Sequence, residues 1–283
     1  MERRHVAILP IFLALAFVAF KYLTAPKFTN PETGTVSRVG MEPQQEQALG
    51  LQAYQQVLQE NSGNVIQSGP EYEQVTRVVR RLASAAMEHS KVQYQWRVSV
   101  VRSQEVNAFC LPGGEIVVYT AILPLTQNDA GLATVLGHEM GHATSRHGAA
   151  RMFREQLTQT AISGVASGLG NMDPQQQQQV MVALGTGARY GLSLPFSRDQ
   201  ESEADHVGLL YMARAGYDPH EAEAFWQRMD QQSGGRQPPQ FASDHPANGQ
   251  RIQQIRGWMP DAEKEYNASR MKDTKEPTQN TGL

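Results

Sequence analysis

The chain of 283 residues has very little cysteine and no surplus of positive charge, and both absences restrict what it does. Cys110 is the single cysteine, so an internal disulfide and a zinc site built from cysteines are excluded. Any metal site must therefore use histidine and carboxylate side chains. Lys and Arg number 25 against 28 Asp and Glu, which disfavours a nucleic-acid-binding protein because such proteins usually carry a basic surface.

The composition also excludes two broad classes of protein. Charged residues make up 19% of the chain and hydrophobic residues 40%, which is too apolar for a disordered chain and too polar for a protein with many membrane spans. We find no internal repeat of 20–50 residues, so a repeat architecture is not expected. A folded core with one attached segment is predicted.

That segment is an apolar run at the N-terminus, from Val6 to Phe20 and on to Leu23, behind a charged lead with two arginines. The run to Phe20 rises about 22 Å as a helix, short of the roughly 30 Å hydrocarbon core, and counting to Leu23 brings it close to spanning. No small-residue cleavage site follows, so residues 1–24 are predicted to be an uncleaved anchor, with a cleaved signal peptide as the alternative. The arginines favour a cytoplasmic N-terminus. We therefore expect a single-pass inner-membrane protein with its folded domain in the periplasm.

Composition and periodicity divide the rest of the chain into three parts. Residues 25–40, rich in Pro, Thr and Gly, are predicted to be a linker, residues 41–258 one domain and residues 259–283 a disordered tail. Helical and strand-like patterns both occur in the domain, so the predicted fold class is α+β, mainly α-helical. The predicted helices include about 42–58, 72–87, 130–152 and 199–214, and the predicted strands cover 92–100 and 115–119.

One motif carries chemistry, His138-Glu139-Met140-Gly141-His142, and it lies inside a helical pattern. Positions i and i+4 of a helix lie about 40° apart, so both imidazoles face one cleft and can hold one metal ion. Glu139 lies about 100° round from His138, where a general base for an activated water belongs. The alternative, two histidines that bind no ion, remains open on the motif alone.

A catalytic zinc site needs a third protein ligand and an open position for water. The metzincin pattern is excluded because Ser145 and Gly148 stand where it requires glycine and histidine. His147 lies about 140° round the helix from His142, so it cannot join the same ion while the helix stays regular. We therefore predict a structural role for His147.

The best source of a third ligand is the later helical segment that contains Glu201 and Asp205, which are one turn apart. One carboxylate is expected to bind the metal while the other accepts the free N–H of a ligand histidine. Glu203, between them, faces elsewhere and is expected to be solvated. His206 is a weaker ligand candidate.

Further short motifs accompany this set from about Glu42 to Trp258. They are Asn107-Ala108-Phe109, Leu111-Pro112-Gly113-Gly114, Arg146-His147, Ser197-Arg198, Ala215-Gly216-Tyr217-Asp218-Pro219, Asp244-His245-Pro246 and Arg251-Ile252. Their order and spacing resemble metallopeptidase family 48, in the branch of the Oma-type mitochondrial protease and the bacterial β-barrel assembly-enhancing protease. The resemblance implies a zincin-type domain with a small β-sheet packed beside the HExxH helix, one zinc ion per chain and a single N-terminal anchor helix.

The resemblance also implies roles for the residues at matching positions. The implied zinc ligands are His138, His142 and Glu201. Glu139 matches the general base, and Asp205 matches an acid that supports the ligands. His245 matches a histidine that lies near the zinc and either occupies its open position or assists the transition state. Arg251 matches an arginine near the site, and it or His245 is expected to stabilise the oxyanion.

The implied activity is that of a zinc metalloendopeptidase. The strand after Pro112 is expected to lie beside the cleft and to pair with an extended peptide. Its predicted substrate-binding residues are Gly113, Gly114, Ile116 and Val118. Such pairing makes little demand on sequence and suits quality control of misfolded or misassembled envelope proteins.

Two other functions stay open. The first is a chaperone-like assembly factor that holds envelope clients and rarely cuts them, and the second is a structural zinc protein, which usually has four protein ligands. The expected partners are unfolded proteins and, through the N-terminal helix, the membrane; no nucleic-acid partner is expected.

Overall fold

The structure is a computed structural model that describes residues 8–89, 94–169, 175, 178–179, 196–233, 239–245 and 249–275. The chain divides into two compact units. The first comprises Met1–Thr29, Val36–Glu42 and Gly148–Leu194, and the second comprises Asn30–Thr35, Pro43–His147 and Pro195–Leu283. The predicted tail beyond residue 275 lies outside the described residues.

In the described part of the chain, the first unit includes two long helices and a short hairpin. These are α1 (Ile8–Thr24), β1 (Lys27–Thr29), β2 (Val36–Arg38) and α6 (His147–Gly168), of which α6 lies in this unit from its second residue. The two strands are antiparallel, with Lys27 opposite Arg38. No residue of α1 is buried. Among the described residues, no helix is both long enough and apolar enough to cross a membrane.

The second unit contains the remaining helices and a four-stranded sheet. Its helices are α2 (Pro43–Glu60), α3 (Pro70–His89), α4 (Leu123–Thr126), α5 (Asp129–Thr144), α7 (Arg198–Arg214), α8 (His220–Ser233), α9 (Gln240–Asp244) and α10 (Arg251–Lys275), with a 3-10 turn at Thr120–Ile122. Its strands are β3 (Val65–Ile66), β4 (Arg97–Val101), β5 (Ala108–Leu111) and β6 (Glu115–Tyr119).

The sheet order is β3-β4-β6-β5, so β6 lies inside the sheet and β5 at its edge. The strand β6 runs parallel to β4 and antiparallel to β5. Both faces of β6 are covered, since Ile116 and Val118 join the main core while Val117 packs with Tyr54 of α2 on the other side. A strand that is buried on both faces reads as a continuous apolar run, as this one does.

The helix α5 is the centre of the unit, and its residues from Gly131 to Thr144 are all buried. Asn128 directly precedes it, and its side chain accepts a hydrogen bond from the Gly131 backbone N–H, as an N-cap does. Glycines let α5 and α7 approach closely, because a Cβ on Gly208 would lie 2.6 Å from the backbone nitrogen of His138. The two motif-bearing helices are therefore packed backbone to backbone.

The observed architecture agrees with the predicted class, mainly helical with small sheets. Three details differ. The predicted helix 130–152 is broken between α5 and α6. The predicted linker carries the β1–β2 hairpin. Residues 259–275, part of the predicted disordered tail, continue α10, because Met259 and Ala262 are buried in the core.

Candidate metal centre

Four side chains meet in a buried group where α5, α7 and the end of α9 come together. They are His138, His142, Glu201 and His245, and their ligand atoms all lie within 4.8 Å of one another. The Nε2 atom of His138 lies 3.1 Å from Nε2 of His142 and 3.1 Å from Nδ1 of His245. These imidazoles are held together in the interior of the protein with a carboxylate beside them.

The spacing and chemistry of this group fit zinc. Zinc–nitrogen bonds of about 2.0–2.1 Å in a tetrahedron place neighbouring ligand atoms roughly 3.3 Å apart. Glu201 Oε1 lies 3.4 Å from His142 Nε2 and 3.1 Å from His245 Nδ1. Burial alone would raise the pKa of Glu201, but hydrogen bonds from His138 and His142 hold it below its ordinary value. An ionised carboxylate among imidazole nitrogens is a suitable ligand set for this metal.

Glu139 lies beside the group and takes no part in it. Its Oε2 atom accepts a hydrogen bond from the backbone N–H of Cys110 on β5, at 3.3 Å. Its Oε1 atom is buried and has no hydrogen-bond partner in the described part of the chain. Burial raises the pKa of this carboxyl above its ordinary value, which is the direction required of a general base that works near neutral pH.

Asp205 and Arg251 support the ligands. Asp205 Oδ1 lies 2.8 Å from Nδ1 of His138, the contact that fixes the orientation of a ligand imidazole. Arg251 donates from Nε to Asp205 and from Nη2 to Glu201, both at 2.6 Å, and from Nη1 to the carbonyl of His245 at 3.2 Å. Each guanidinium nitrogen thus makes a hydrogen bond within the site, and the expectation that Arg251 or His245 stabilises an oxyanion stays a prediction.

His245 occupies a corner of the group. It directly follows α9, and its backbone N–H donates to the carbonyl of Phe241 at 2.9 Å. Its Nε2 atom lies 3.3 Å from Oε1 of Glu139. The imidazole therefore lies both in the metal group and against Oε1 of Glu139, and the group has four protein donors in this arrangement.

The strand that was expected to bind substrate does not lie at an edge of the sheet. Ile116 and Val118 lie on β6, which pairs with β4 on one side and β5 on the other, and both residues are 0% exposed. An inner strand has no free backbone groups for a peptide, so the prediction for these two residues is wrong. Gly113 and Gly114 lie in the turn between β5 and β6, and both have positive φ, which glycine adopts readily. The strand edge beside Glu139 belongs to β5.

Two residues that were not predicted to belong to the site, His147 and Glu203, lie next to the ligands. His147 Nδ1 lies 2.9 Å from Nδ1 of His142, and His147 Nε2 lies 3.1 Å from Glu203 Oε2. Glu203 was expected to be solvated, but this expectation is wrong, because its side chain is only 10% exposed. His206 stacks on Trp258, with ring centroids 4.6 Å apart, and takes no part in the metal group.

The comparison with protein families gives the class to which this site belongs. The model of peptidase family M48 matches residues 70–259, a segment that contains all four members of the metal group. The chain therefore belongs to this family of zinc metallopeptidases, and the resemblance drawn from its motifs is confirmed.

Individual relatives are mitochondrial and bacterial. The mitochondrial metalloendopeptidase OMA1 of Schizosaccharomyces pombe is 33% identical over 220 residues, which cover 77% of this chain and 62% of that protein. OMA1 of Arabidopsis thaliana is 40% identical over 60% of this chain and 32% of its own length. The β-barrel assembly-enhancing protease of Escherichia coli is 28% identical over 64% of this chain and 38% of its own length. The chain thus spans between about a third and three fifths of these relatives.

Proposed function

We propose that this chain is a zinc-dependent metalloendopeptidase that cleaves unfolded or misassembled proteins in the cell envelope. The observation that carries the proposal is the position of Glu139, a buried carboxylate that lies beside a complete zinc-ligand group and a strand edge and whose Oε1 atom makes no hydrogen bond among the described residues. The names of the relatives agree with it, since they are metalloendopeptidases and a β-barrel assembly-enhancing protease.

His138, His142 and Glu201 would hold the zinc ion. When bound, zinc supplies a Lewis acid that polarises the scissile carbonyl and makes a water molecule more acidic. Glu139 removes a proton from the attacking water and passes it to the leaving amine. The Cys110 N–H fixes Oε2 of Glu139, which leaves Oε1 to carry that proton.

Substrate is proposed to pair with the edge of β5. The outward N–H of Cys110 donates to Glu139, and that of Ala108 donates to the side chain of Asn107. The alternate residues Phe109 and Leu111, opposite Val117 and Glu115, therefore make the ladder bonds to β6. Since these two outward N–H groups already have partners, an extended peptide is proposed to donate its own main-chain N–H groups to the outward carbonyls of Ala108 and Cys110, whatever its sequence.

Cleavage requires the His245 side chain to move out of the metal group. A catalytic zinc site keeps one position open for water or substrate, and here the His245 ring fills that position and lies against Glu139. The arrangement in the structure is thus proposed to be a resting form. The four-donor group is also the one observation that favours the second candidate, an assembly factor that holds clients and cleaves them rarely.

The apolar helix α1 is proposed to attach the protein to the inner membrane, with the catalytic unit in the periplasm; export followed by signal cleavage is the alternative. Large apolar side chains of α1 such as Ile8, Phe12 and Leu23 are more than half exposed, which is costly in water and favourable in lipid. Fractionation of cells that express the full chain tests this. An anchored protein stays with membranes in alkaline carbonate, and a lower-mass protein released into the soluble fraction would contradict anchoring.

The test of the proposed activity compares the wild-type chain with Glu139→Gln, measuring bound zinc and casein cleavage on the same preparations. We expect about one zinc per chain in both and a loss of cleavage of roughly 100- to 10,000-fold in the variant. Glu155→Gln is the matched control, because Glu155 pairs with Arg151 on the surface of α6. Cleavage by Glu139→Gln at the wild-type rate would refute the proposal.

His245→Ala separates the two candidate functions. If the imidazole blocks the site, its removal raises casein cleavage while zinc stays bound by three ligands. Bound zinc with no cleavage in either the wild type or His245→Ala would instead favour the client-holding factor. A fall in cleavage would indicate that His245 assists the reaction directly.

A further inference from the structure

The end of α5 has an unusual turn that brings His147 back to the metal group. The helix ends at Thr144, and Arg146 then adopts φ 55, in the left-handed region, where glycine is the ordinary residue. Arg146 is buried, and its Nε donates to Oε2 of Glu46 on α2 at 2.7 Å. Because the helix breaks here, His147 no longer follows the helical angle that would carry it away from His142.

A chain of hydrogen bonds then runs outward from the metal ligand. His142 and His147 are joined through their Nδ1 atoms, and His147 Nε2 meets Oε2 of Glu203. On the far side, Glu203 Oε1 accepts hydrogen bonds from Asn30 Nδ2 at 2.7 Å and from Thr33 Oγ1 at 2.6 Å. Both carboxylate oxygens of Glu203 are therefore used as acceptors.

When His142 binds metal through Nε2, the protons in this series of hydrogen bonds can be assigned in one consistent way. His142 must then carry its proton on Nδ1 and donate it to Nδ1 of His147. His147 consequently carries its own proton on Nε2 and donates it to the Glu203 carboxylate. Asn30 and Thr33 supply the donors that hold this carboxylate in place.

The donors come from residues 30–35, the loop between β1 and β2, which is held by its own hydrogen bonds. The Asn30 N–H donates to the carbonyl of Thr35 and the Gly34 N–H to the carbonyl of Asn30, both at 2.9 Å. Asn30 is 3% exposed and also donates to Ser145 Oγ at 2.8 Å. Glu32 forms a two-point ion pair with Arg214 of α7. The loop is thus a docked element with fixed donors.

We propose that Asn30, Thr33 and Glu203 are positioning residues that act through His147 to orient His142 for zinc. These loop residues precede the family match, which begins at residue 70. The role is distinct from that of Asp205, which orients the other ligand histidine. The proposal concerns metal binding, so its test does not depend on whether the chain cleaves peptides.

The test uses the full chain and two variants of nearly unchanged shape, Glu203→Gln and Thr33→Val. A glutamine at 203 must direct its NH₂ either at the N–H of His147 or at the donors of the loop, and it removes the charge. Thr35→Val is the matched control, because the Thr35 hydroxyl contacts only Thr33 among the described contacts. Zinc affinity is measured by competition with a chelator, and the ligand field by the absorption spectrum of the cobalt(II)-loaded protein.

We expect Glu203→Gln to weaken zinc binding by about 10- to 100-fold and to alter the cobalt spectrum. Thr33→Val should also weaken zinc binding and alter the cobalt spectrum, but by less than Glu203→Gln does. Thr35→Val should match the wild type in both measurements. Wild-type zinc affinity and spectrum in both Glu203→Gln and Thr33→Val would overturn the proposal. So would variants whose metal-free unfolding midpoint falls while zinc affinity stays unchanged, since that is the result of a purely structural contact. If Glu203→Gln does not fold, Thr33→Val decides alone.

Discussion

The two ligand histidines of α5 are supported in different ways. His138 is held by Asp205, one turn beyond Glu201 on α7, in a helix pair whose backbones touch. His142 is held through His147 and Glu203, with donors from a loop more than a hundred residues earlier in the chain. One side of the site is built from regular helix packing inside the family match, and the other from a broken helix and a distant loop.

The largest effect is expected at Arg251, which lies on the His138 side between two buried carboxylates. Arg251→Met leaves Glu201 and Asp205 without their cation, and the removal of one partner from a buried ion pair costs about 3–5 kcal/mol. Chemical unfolding of the metal-free protein measures the change. Arg256→Met, on the same helix but at the surface and paired with Glu223, should leave the midpoint unchanged. An equal effect in both variants would contradict the role of Arg251.

Helix contact on the His138 side is tested at Gly208. A Cβ there would lie 2.6 Å from the backbone nitrogen of His138 and 2.7 Å from the carbonyl carbon of Gly137, so Gly208→Ala must separate α5 from α7. Overpacking of this kind costs roughly 1–3 kcal/mol of stability. Gly257→Ala in α10 meets nothing within 4 Å and should instead stabilise by about 0.5–1 kcal/mol. Chemical unfolding of the two variants and the wild type measures both changes in the free energy of unfolding. No change in Gly208→Ala would show that the helices are not in tight contact.

Asp205→Asn removes the carboxylate that orients His138. The amide either loses the contact with the His138 N–H or directs its NH₂ at Arg251, so zinc affinity should fall by about 10- to 100-fold. Chelator competition measures this fall. If the two supports act independently, the losses in Asp205→Asn and Glu203→Gln add as free energies in the double variant. A double variant no weaker than Asp205→Asn would show that the His142 side contributes nothing.

The smallest effect is expected at Glu32, which anchors the loop without touching Glu203. The side chains of Glu32 and Arg214 are only 5% and 10% exposed, but a glutamine at 32 keeps one oxygen as an acceptor for Arg214, which also pairs with Glu265. The loop should therefore stay docked, and Glu32→Gln should weaken zinc binding by less than Glu203→Gln does. A loss as large as that in Glu203→Gln would mean that docking of the loop, rather than its donors, sets the affinity.

The His138 side could be predicted from the sequence because its residues are related by the regular spacing of a helix. The i, i+4 spacing joins His138 to His142 and Glu201 to Asp205, and motif order supplied the rest of the ligand group. The fold class followed from periodicity in the same way. The bounds of α7 agree closely as well, since it begins at Arg198 and ends at Arg214, within one residue of the prediction.

The His142 side could not be predicted in this way. The break at Arg146 has no local signal, because a left-handed residue is usually glycine and here depends on a buried partner in α2. The contact of Asn30 with Glu203 joins residues 173 positions apart. The prediction of which strand lies at the edge of the sheet failed for a similar reason. The parallel pairing of β6 with β4 places Ile116 and Val118 inside the sheet and leaves β5 at the edge, and neither fact follows from the alternation of the strands.

The most direct test of two separate supports is the imidazole region of ¹H–¹⁵N spectra of the zinc-loaded full chain. The structure predicts hydrogen-bonded N–H protons on Nδ1 of His138, Nδ1 of His142 and Nε2 of His147. Asp205→Asn should move only the first of these resonances, and Glu203→Gln only the other two. A spectrum in which Glu203→Gln leaves the His142 and His147 resonances in place would contradict the account.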